Sequence, residues 1–270
     1  MKAILTIALF TFKEGLRHRV LYGVLTFACL LICFSVLASG LFMRDISKIL
    51  LDICLTSVSF GGLLVPFFLA INLMAGDLES RTVYSILSLP LSRKQYILGK
   101  FTGLSFLIIL IMGLLTIATF FSIQAGEYVF SETYFTSVSI TSIVSAVGAA
   151  ILGNMVLLGC VFFWSSITTS SFLVTMLTIS TYIIGQTIEE IVRFMSVQTP
   201  GVHFSPLLKK TVLTVLYIFP NLASFDLKQH AAHGLVISAR HMTLLSGYGL
   251  TYLTVILTLT IFFFSRRDLA

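Results

Sequence analysis

Charged side chains make up only 10% of this 270-residue sequence, and their largest concentration is the stretch AGDLESRTVYSILSLPLSRKQYILGKF, Ala75 to Phe101. Two carboxylates, Asp77 and Glu79, are followed there by four basic groups. Side chains of these types form salt bridges and charge-assisted hydrogen bonds with a partner. The stretch predicts a docking surface that transmits force from a partner; the alternative interpretation is an interfacial loop held in place by its positive charge.

Sequence motifs for catalysis are absent from the chain. A phosphate-binding loop has the pattern GxxxxGK[ST] after a strand, whereas Gly99–Lys100 is followed by Phe101 and lacks the earlier glycine. Neither an HExxH motif nor a GxSxG nucleophile elbow occurs. We therefore expect no enzymatic activity and no cofactor in this chain, and any energy from ATP must come from a separate chain.

Histidines are the other residues that could do chemistry. If residues 228–238 are helical, His230 and His233 share a face, and imidazoles at that spacing can bind a transition metal. His203 and His241 lie in the same long segment, but no cysteine or carboxylate completes an evident site. Solvated histidines are therefore favoured over a metal centre. The four cysteines fall in apolar runs and are interpreted as packing residues: Cys29, Cys33, Cys54 and Cys160.

The elements that position all of these residues are transmembrane helices. The chain is 57% hydrophobic and contains 24 phenylalanines, so lipid must be its solvent. Runs of about 20 apolar residues span a bilayer as helices, and without strand-like alternation the fold class is an all-α integral membrane protein. We predict six spans: 20–42, 53–75, 101–123, 138–164, 167–188 and 243–264.

The distribution of charge predicts the orientation of the spans. With six spans both termini lie on one side, which then holds ten basic and four acidic residues, against seven of each on the other side. Basic residues beside spans favour the cytoplasm, so both termini are expected to be cytoplasmic. The basic pI then reflects topology, and we expect no nucleic-acid partner. Residues 1–19 are interpreted as an amphipathic interfacial helix; a cleaved signal peptide is the alternative.

The charged stretch is predicted to form a helical hairpin between spans two and three. Asp77 can cap a first helix that continues to about Ser88, and Pro90 ends it. Ser92 and Gln95 have the capping-box spacing that begins a second helix leading into span three. The apolar side of the hairpin is formed by Val83, Ile86, Leu87 and Pro90, and its wet side by Glu79, Arg81 and Ser85.

This stretch resembles the inner loop of the ABC-2 type permeases. The pattern has an acidic–x–Glu–x–x–Thr segment, Ser-x-Pro-x-Ser-Arg and Gly-Lys, and it is matched by Asp77, Glu79, Thr82, Ser88, Pro90, Ser92, Arg93, Gly99 and Lys100. YIFPNLASFDLK, Tyr217 to Lys228, is similar to a Pro-Asn-Leu-x-x-Phe stretch of such permeases. Within the family, the chain most resembles stand-alone permeases of the type that includes the nitrous-oxide reductase maturation transporter.

The resemblance implies a partner and a role. The chain is expected to be the permease subunit of an ATP-binding cassette transporter in a bacterial or archaeal cytoplasmic membrane. It would form a homodimer that docks two copies of a separate ATPase, which binds ATP and magnesium. Residues 77–100 would then be the coupling hairpin received by the ATPase, with Asp77, Glu79, Arg81, Thr82, Val83, Ile86, Leu87, Pro90, Ser92 and Arg93 as the contact residues.

Two other functions remain open at this point. A secondary transporter or channel usually places ionisable residues inside its spans, whereas the interiors here hold neutral polar groups. A subunit that conveys a mechanical signal without a cargo fits the same hairpin. For a transporter, the resemblance implies a pathway at the dimer seam lined by spans two and five, where the sequence supplies Pro66, Asn72 and Gln186. The cargo is not identified by the sequence.

The outer segment between spans five and six, 189–246, is predicted to form a partly inserted, re-entrant cap. Its apolar piece Leu207–Phe219 would be about 20 Å long as a helix, too short for a hydrocarbon core about 30 Å thick. Lys209 and Lys210 favour the membrane edge, and Pro220 ends the helix. Such a cap offers a docking surface to a periplasmic or extracellular partner. The whole chain, 1–270, is predicted to be a single transmembrane domain.

Overall fold

The structure is a computed structural model, and it describes residues 2–41, 46–79, 92–130, 135, 138–168, 170–196, 206–235 and 237–266. These residues are almost entirely helical, and no strand occurs among them. The helices in chain order are α1 (Lys2–Arg17), α2 (Arg19–Ser39), α3 (Ile46–Leu64), a π-helical segment (Val65–Ala75), α4 (Gly76–Glu79), α5 (Arg93–Phe130), α6 (Ile140–Ile167), α7 (Ser171–Ser196), α8 (Pro206–Ile218), α9 (Lys228–Ala232) and α10 (Ala239–Arg266).

Six helical stretches are long and apolar enough to cross a membrane, as the sequence predicts. They are Leu21–Ser39, Ile46–Ala75, Arg93–Phe130, Ile140–Ile167, Ser171–Met195 and Ala239–Arg266. The third span is longer than the predicted 101–123, since the short helix that begins after Ser92 continues into it without a break.

The two ends of the bundle are defined by contacts between distant residues. At the hairpin end, Glu79 contacts Ser171 and Arg93 contacts Ser265. At the cap end, the Ser142 hydroxyl donates to the Leu235 carbonyl at 3.1 Å, and Asn221 contacts Glu189. The residues that flank segment 80–91 therefore share one end with the turn between α6 and α7 and with the C-terminal end of α10.

Helix α1 packs lengthwise against the first turns of α5. Gly99 and Gly103 permit the close approach, because a Cβ added at Gly103 would lie only 2.6 Å from the Ala8 carbonyl oxygen. The opposite side of α1 exposes Leu5 and Phe10, which are 60% and 62% accessible. Large apolar side chains on that side are suited to lipid. This agrees with an amphipathic helix, and its interfacial position stays a prediction.

Span two stays helical through Pro66, although a proline can break a transmembrane helix. A proline has no N–H and its ring crowds the carbonyl four residues earlier, but here the helix continues with widened turns over Val65–Ala75. Within this segment the Asn72 amide donates to the Phe68 carbonyl at 2.6 Å, so this polar side chain is bonded to its own helix.

The outer segment packs between α7 and α10, while its depth in the membrane stays a prediction. Helix α8 leads to a turn whose Leu222 N–H donates to the Gly185 carbonyl at 2.9 Å, just past the middle of α7. The Asn221 N–H donates to the Tyr248 hydroxyl at 2.9 Å, and the Tyr252 hydroxyl donates to the Ile218 carbonyl at 3.3 Å. Irregular backbone at membrane depth is tolerated where its polar groups are satisfied in this way.

The return of the outer segment is less helical than the sequence suggests. The condition that would put His230 and His233 on one face of a helix over 228–238 is not met, since α9 ends at Ala232 and Gly234 has a φ of 65°. A positive φ is readily adopted by glycine and stops a helix. Ala231 and Ala232 are buried, and Phe225 fills the space that Gly153 and Gly249 leave. The part of the outer segment that leads back to α10 is therefore packed into the bundle and does not lie over it.

The glycines of α5 provide a test of the α1 contact. We expect Gly103→Ala to lower the free energy of unfolding by about 1–3 kcal/mol, since the new methyl overlaps the α1 backbone. The matched substitution Gly113→Ala adds the same methyl where nothing lies within 4 Å, and better helix propensity should raise stability by roughly 1 kcal/mol. Thermal unfolding in detergent measures the stability of both variants. Equal changes in stability at the two positions would contradict the packing of α1 on α5.

Candidate functional site

The candidate site lies at the hairpin end, on both sides of segment 80–91. Of the predicted contact residues, Asp77, Glu79, Ser92 and Arg93 belong to the described part of the chain. The others lie outside the described residues: Arg81, Thr82, Val83, Ile86, Leu87 and Pro90. The structure shows which contacts hold the residues on either side of segment 80–91, the flanks of the predicted hairpin, against the spans.

An ion pair between a buried lysine and a partly exposed aspartate joins the end of span two to the start of span three. The Lys100 ammonium donates to the Asp77 carboxylate and to the Leu73 carbonyl at the end of the π-helical segment. Lys100 is only 2% exposed. The expectation that Asp77 caps a new helix is wrong, because Asp77 lies inside a helical turn that continues from span two and its carboxylate faces Lys100.

An aromatic pair covers this ion pair. The Tyr96 ring is fully buried and lies 5.4 Å from the Lys100 ammonium, a distance at which the ring face attracts a cation. The same ring stacks on Phe264 near the end of α10, with centroids 6.0 Å apart and an interplanar angle of 17°. Spans two, three and six therefore meet at Lys100 and Tyr96.

The start of α5 has the predicted capping box. The Ser92 N–H donates to the Gln95 side-chain oxygen at 3.1 Å, and the Gln95 N–H donates to the Ser92 hydroxyl at 3.3 Å. The next residue, Arg93, donates to the carbonyls of Phe264 and Ser265, each at 3.1 Å. A guanidinium at the last carbonyls of a helix satisfies unpaired acceptors and favours the helix dipole. Arg93 therefore caps α10.

Glu79 makes the complementary contact with α7. Its carboxylate accepts a hydrogen bond from the Ser171 N–H at 3.2 Å, at the first residue of that helix. A carboxylate at a helix N-terminus is favoured by the dipole and by the unpaired N–H groups there. The Ser171 hydroxyl and backbone N–H hold the pKa of Glu79 below its usual range. The side chain stays exposed, so it remains accessible to a partner.

A second carboxylate, Glu14 of α1, lies near the ion pair. Partial burial raises its pKa; the Lys100 charge opposes this rise and the Asp77 charge adds to it. Its position brings α1 into the same electrostatic cluster.

The residues predicted for a pathway are separated in the structure. Pro66 is buried, and Asn72 is exposed and bonded to its own helix. Gln186 lines a cavity of about 150 Å³ between α3, α6, α7 and the return of the outer segment. Spans two and five do touch, with the Phe67 and Tyr182 rings 5.7 Å apart at a near-perpendicular angle.

Sequence reasoning missed the residues that receive the hairpin flanks. Ser171 and Phe264 are 92 and 171 residues away in sequence from their partners Glu79 and Arg93, so no local spacing connects them. Among the described residues no group of three or more histidines, cysteines or carboxylates is arranged to hold a metal ion. The His233 ring is hydrogen bonded to the Gln229 carbonyl at 2.8 Å.

Comparison with known proteins provides one match. A family model described as ABC-2 family transporter protein matches residues 56–269. This range covers spans two to six, including the candidate site and the outer segment. No curated protein matches the chain significantly.

The ion pair of Lys100 and Asp77 provides a test of the site. Lys100→Met leaves the Asp77 carboxylate without its ammonium, and we expect it to lower the free energy of unfolding by about 3–5 kcal/mol. The double variant Asp77→Leu/Lys100→Met removes both charges and should recover most of that loss. Denaturation of the purified proteins in detergent measures both values. If the losses in free energy of unfolding added, so that the double variant was less stable than either single variant, the pairing of Asp77 with Lys100 would be contradicted.

Proposed function

The chain belongs to the ABC-2 family of transporter proteins, and on that premise we propose that it is the membrane subunit that couples ATP hydrolysis by a separate ATPase to movement of its spans. Two copies of the chain would form the transmembrane unit, and each copy would dock one ATPase. The cytoplasmic membrane of a bacterium or archaeon is the proposed location. Binding of ATP and magnesium belongs to the partner, since this chain lacks a phosphate loop.

The observation that carries this proposal is the fastening of segment 80–91 at its flanks. On one flank, Glu79 is bonded to the start of α7; on the other, Arg93 is bonded to the end of α10. Between them, Lys100 joins spans two and three. A partner that displaced the segment would therefore act on four spans at once. Coupling over a distance needs such a contiguous network of packed and hydrogen-bonded groups.

The chemistry of the flanks also supports a role in force transmission. Glu79 and Arg93 bind backbone groups at the ends of α7 and α10, so a force on the flanks acts on the helices themselves. Rigid secondary-structure elements carry a displacement along their length. The exposed position of Glu79 leaves one face of the carboxylate for the ATPase, in agreement with the polar contacts proposed for Glu79 and Arg81.

The transport pathway is proposed to run along the dimer seam, lined by spans two and five. The contact between Phe67 and Tyr182 places the two spans side by side in one protomer. Gln186 faces a cavity between these two spans. Thr56 of α3 lines the same cavity and is exposed. The re-entrant segment would close this pathway at the cap end and present an outer surface to an external partner.

Charge reversal at Glu79 tests the coupling. We expect Glu79→Lys to reduce stimulation of the partner ATPase several-fold, since it places a positive charge at the N-terminus of α7 and on the proposed docking face. Glu79→Gln keeps an acceptor for Ser171 and should have a smaller effect. The matched control Glu190→Lys reverses an exposed charge near the other end of α7. ATPase rates of the complex in nanodiscs provide the measurement.

Full stimulation and normal assembly of the Glu79→Lys complex, with the Glu190→Lys control unchanged, would overturn the role of this site. Thermal unfolding of each variant shows whether the bundle is intact, so a loss of coupling is distinguished from a loss of folding.

The orientation has its own test. In a variant whose exposed Cys29 and Cys33 are replaced by serine, an impermeant thiol reagent applied outside should label Phe130→Cys and spare Ser85→Cys. A reporter fused after Ala270 should be active only in the cytoplasm. Labelling of position 85 alone, or a reporter active only outside, would reverse the membrane orientation and remove the ATPase from the proposed docking face.

A further inference from the structure

The cavity that Gln186 lines differs from the rest of the bundle in its polarity. Six other polar side chains line it: Thr56 and Ser59 from α3, Asn154 from α6, Tyr182 from α7, and Asp226 and Lys228 from the outer segment. Polar groups are costly among membrane spans unless they have partners or a function. Packing alone is served better by apolar side chains, as it is in most of this chain.

Two of the lining residues carry opposite charges. The Lys228 ammonium lies 2.9 Å from the Asp226 carboxylate, and the two side chains are 28% and 32% exposed. Each therefore has part of its surface open to the cavity. The re-entrant segment holds them there, because Phe225 and Leu227 on either side of Asp226 are buried in the bundle.

The size of the cavity limits its occupant. Its volume is about 150 Å³, and an engineered cavity of roughly that volume holds a molecule the size of benzene. Water and small polar solutes fit in such a space.

The geometry points to a binding site for a small zwitterion, a molecule of amino-acid size with one amine and one acid group. The amine would replace Lys228 beside Asp226, and the acid group would replace Asp226 beside Lys228, so that neither protein charge is left unpaired. Tyr182, Gln186 and Asn154 offer hydrogen bonds to the same ligand. Charge-assisted hydrogen bonds of this kind are about twice as strong as neutral ones.

This inference rests on the proposed transport function only in treating the ligand as a cargo. The residues that line the cavity belong to this chain and not to the ATPase. Binding can therefore be measured without the ATPase. A failure of coupling at the hairpin end leaves the binding measurement unaffected, and a failure of binding leaves coupling unaffected.

Calorimetry with glycine as the probe tests the site on the purified full chain in nanodiscs. We expect glycine to bind, and acetate and methylammonium, which carry only one of the two charges, to bind at least about tenfold more weakly. Asp226→Asn and Lys228→Gln should each weaken glycine binding by a similar factor. The charge-swapped double variant Asp226→Lys/Lys228→Asp should restore it, since a zwitterion can bind in the reversed orientation.

Protection from labelling locates the bound probe. In the variant without Cys29 and Cys33, Ser59→Cys should react with a small hydrophilic thiol reagent, and glycine should slow that reaction. Tyr128→Cys, at a position 93% exposed on the cap-end part of α5, should react at the same rate with and without glycine.

Several results would overturn the inference. These are the absence of glycine binding, equal binding of acetate or methylammonium, and unchanged binding in both single-charge variants. Equal protection at positions 59 and 128 would do the same, because it would show that glycine acts on the reagent or on the whole protein. Thermal unfolding of each variant excludes a folding defect as the cause of lost binding, and the charge-swapped variant provides the second check.

Discussion

A single ammonium group organises one end of this bundle. Lys100 sits below the surface with a carboxylate, a backbone carbonyl and an aromatic face as its partners. A buried charge is tolerated only when its partners compensate for the lost water. The requirement holds Asp77 and the end of the π-helical segment against span three. It also fixes Tyr96, on which the end of α10 stacks. The positions of the hairpin flanks follow from that arrangement.

The outer half of the protein solves a different problem with tyrosines. A chain that turns back halfway through the bundle exposes backbone donors and acceptors where no water is available. Tyr248 and Tyr252 of α10 meet these groups with their hydroxyls while their rings pack among apolar neighbours. Glycines at the crossing points allow the backbone to come close, and Gly185 does this opposite Pro220. Two tyrosines thus satisfy the backbone of the outer segment, and a glycine lets that backbone pack closely against α7.

Features with a local cause could be predicted from the sequence. The capping box of Ser92 and Gln95 depends on residues three apart, and the six spans depend on apolar runs. The apolar run Leu207–Phe219 and the following Pro220 predict a short helix that ends before the proline, and α8 ends at Ile218. The family resemblance drew attention to Asp77 and Lys100, but it did not show that they bind each other.

Features that depend on tertiary contacts could not be predicted. The contacts of Glu79 with α7 and of Arg93 with α10 join residues on different spans, so their spacing carries no signal. Pro66 predicts a disturbance of span two, but whether the helix breaks or widens depends on its packing. The helix expected beyond Ala232 is absent because Gly234 adopts a positive φ, which glycine permits but does not require.

The contact between Arg93 and α10 has a consequence for biosynthesis. Arg93 leaves the ribosome long before its acceptors, the carbonyls of Phe264 and Ser265, which are 171 and 172 residues further along the chain. At translation rates of about 5–20 residues per second this is a wait of roughly nine to thirty-four seconds. During that interval the guanidinium must be held by water or by lipid head groups. The flank of the hairpin reaches its final contacts only after the last span has been inserted, so a truncated chain carries an incomplete site.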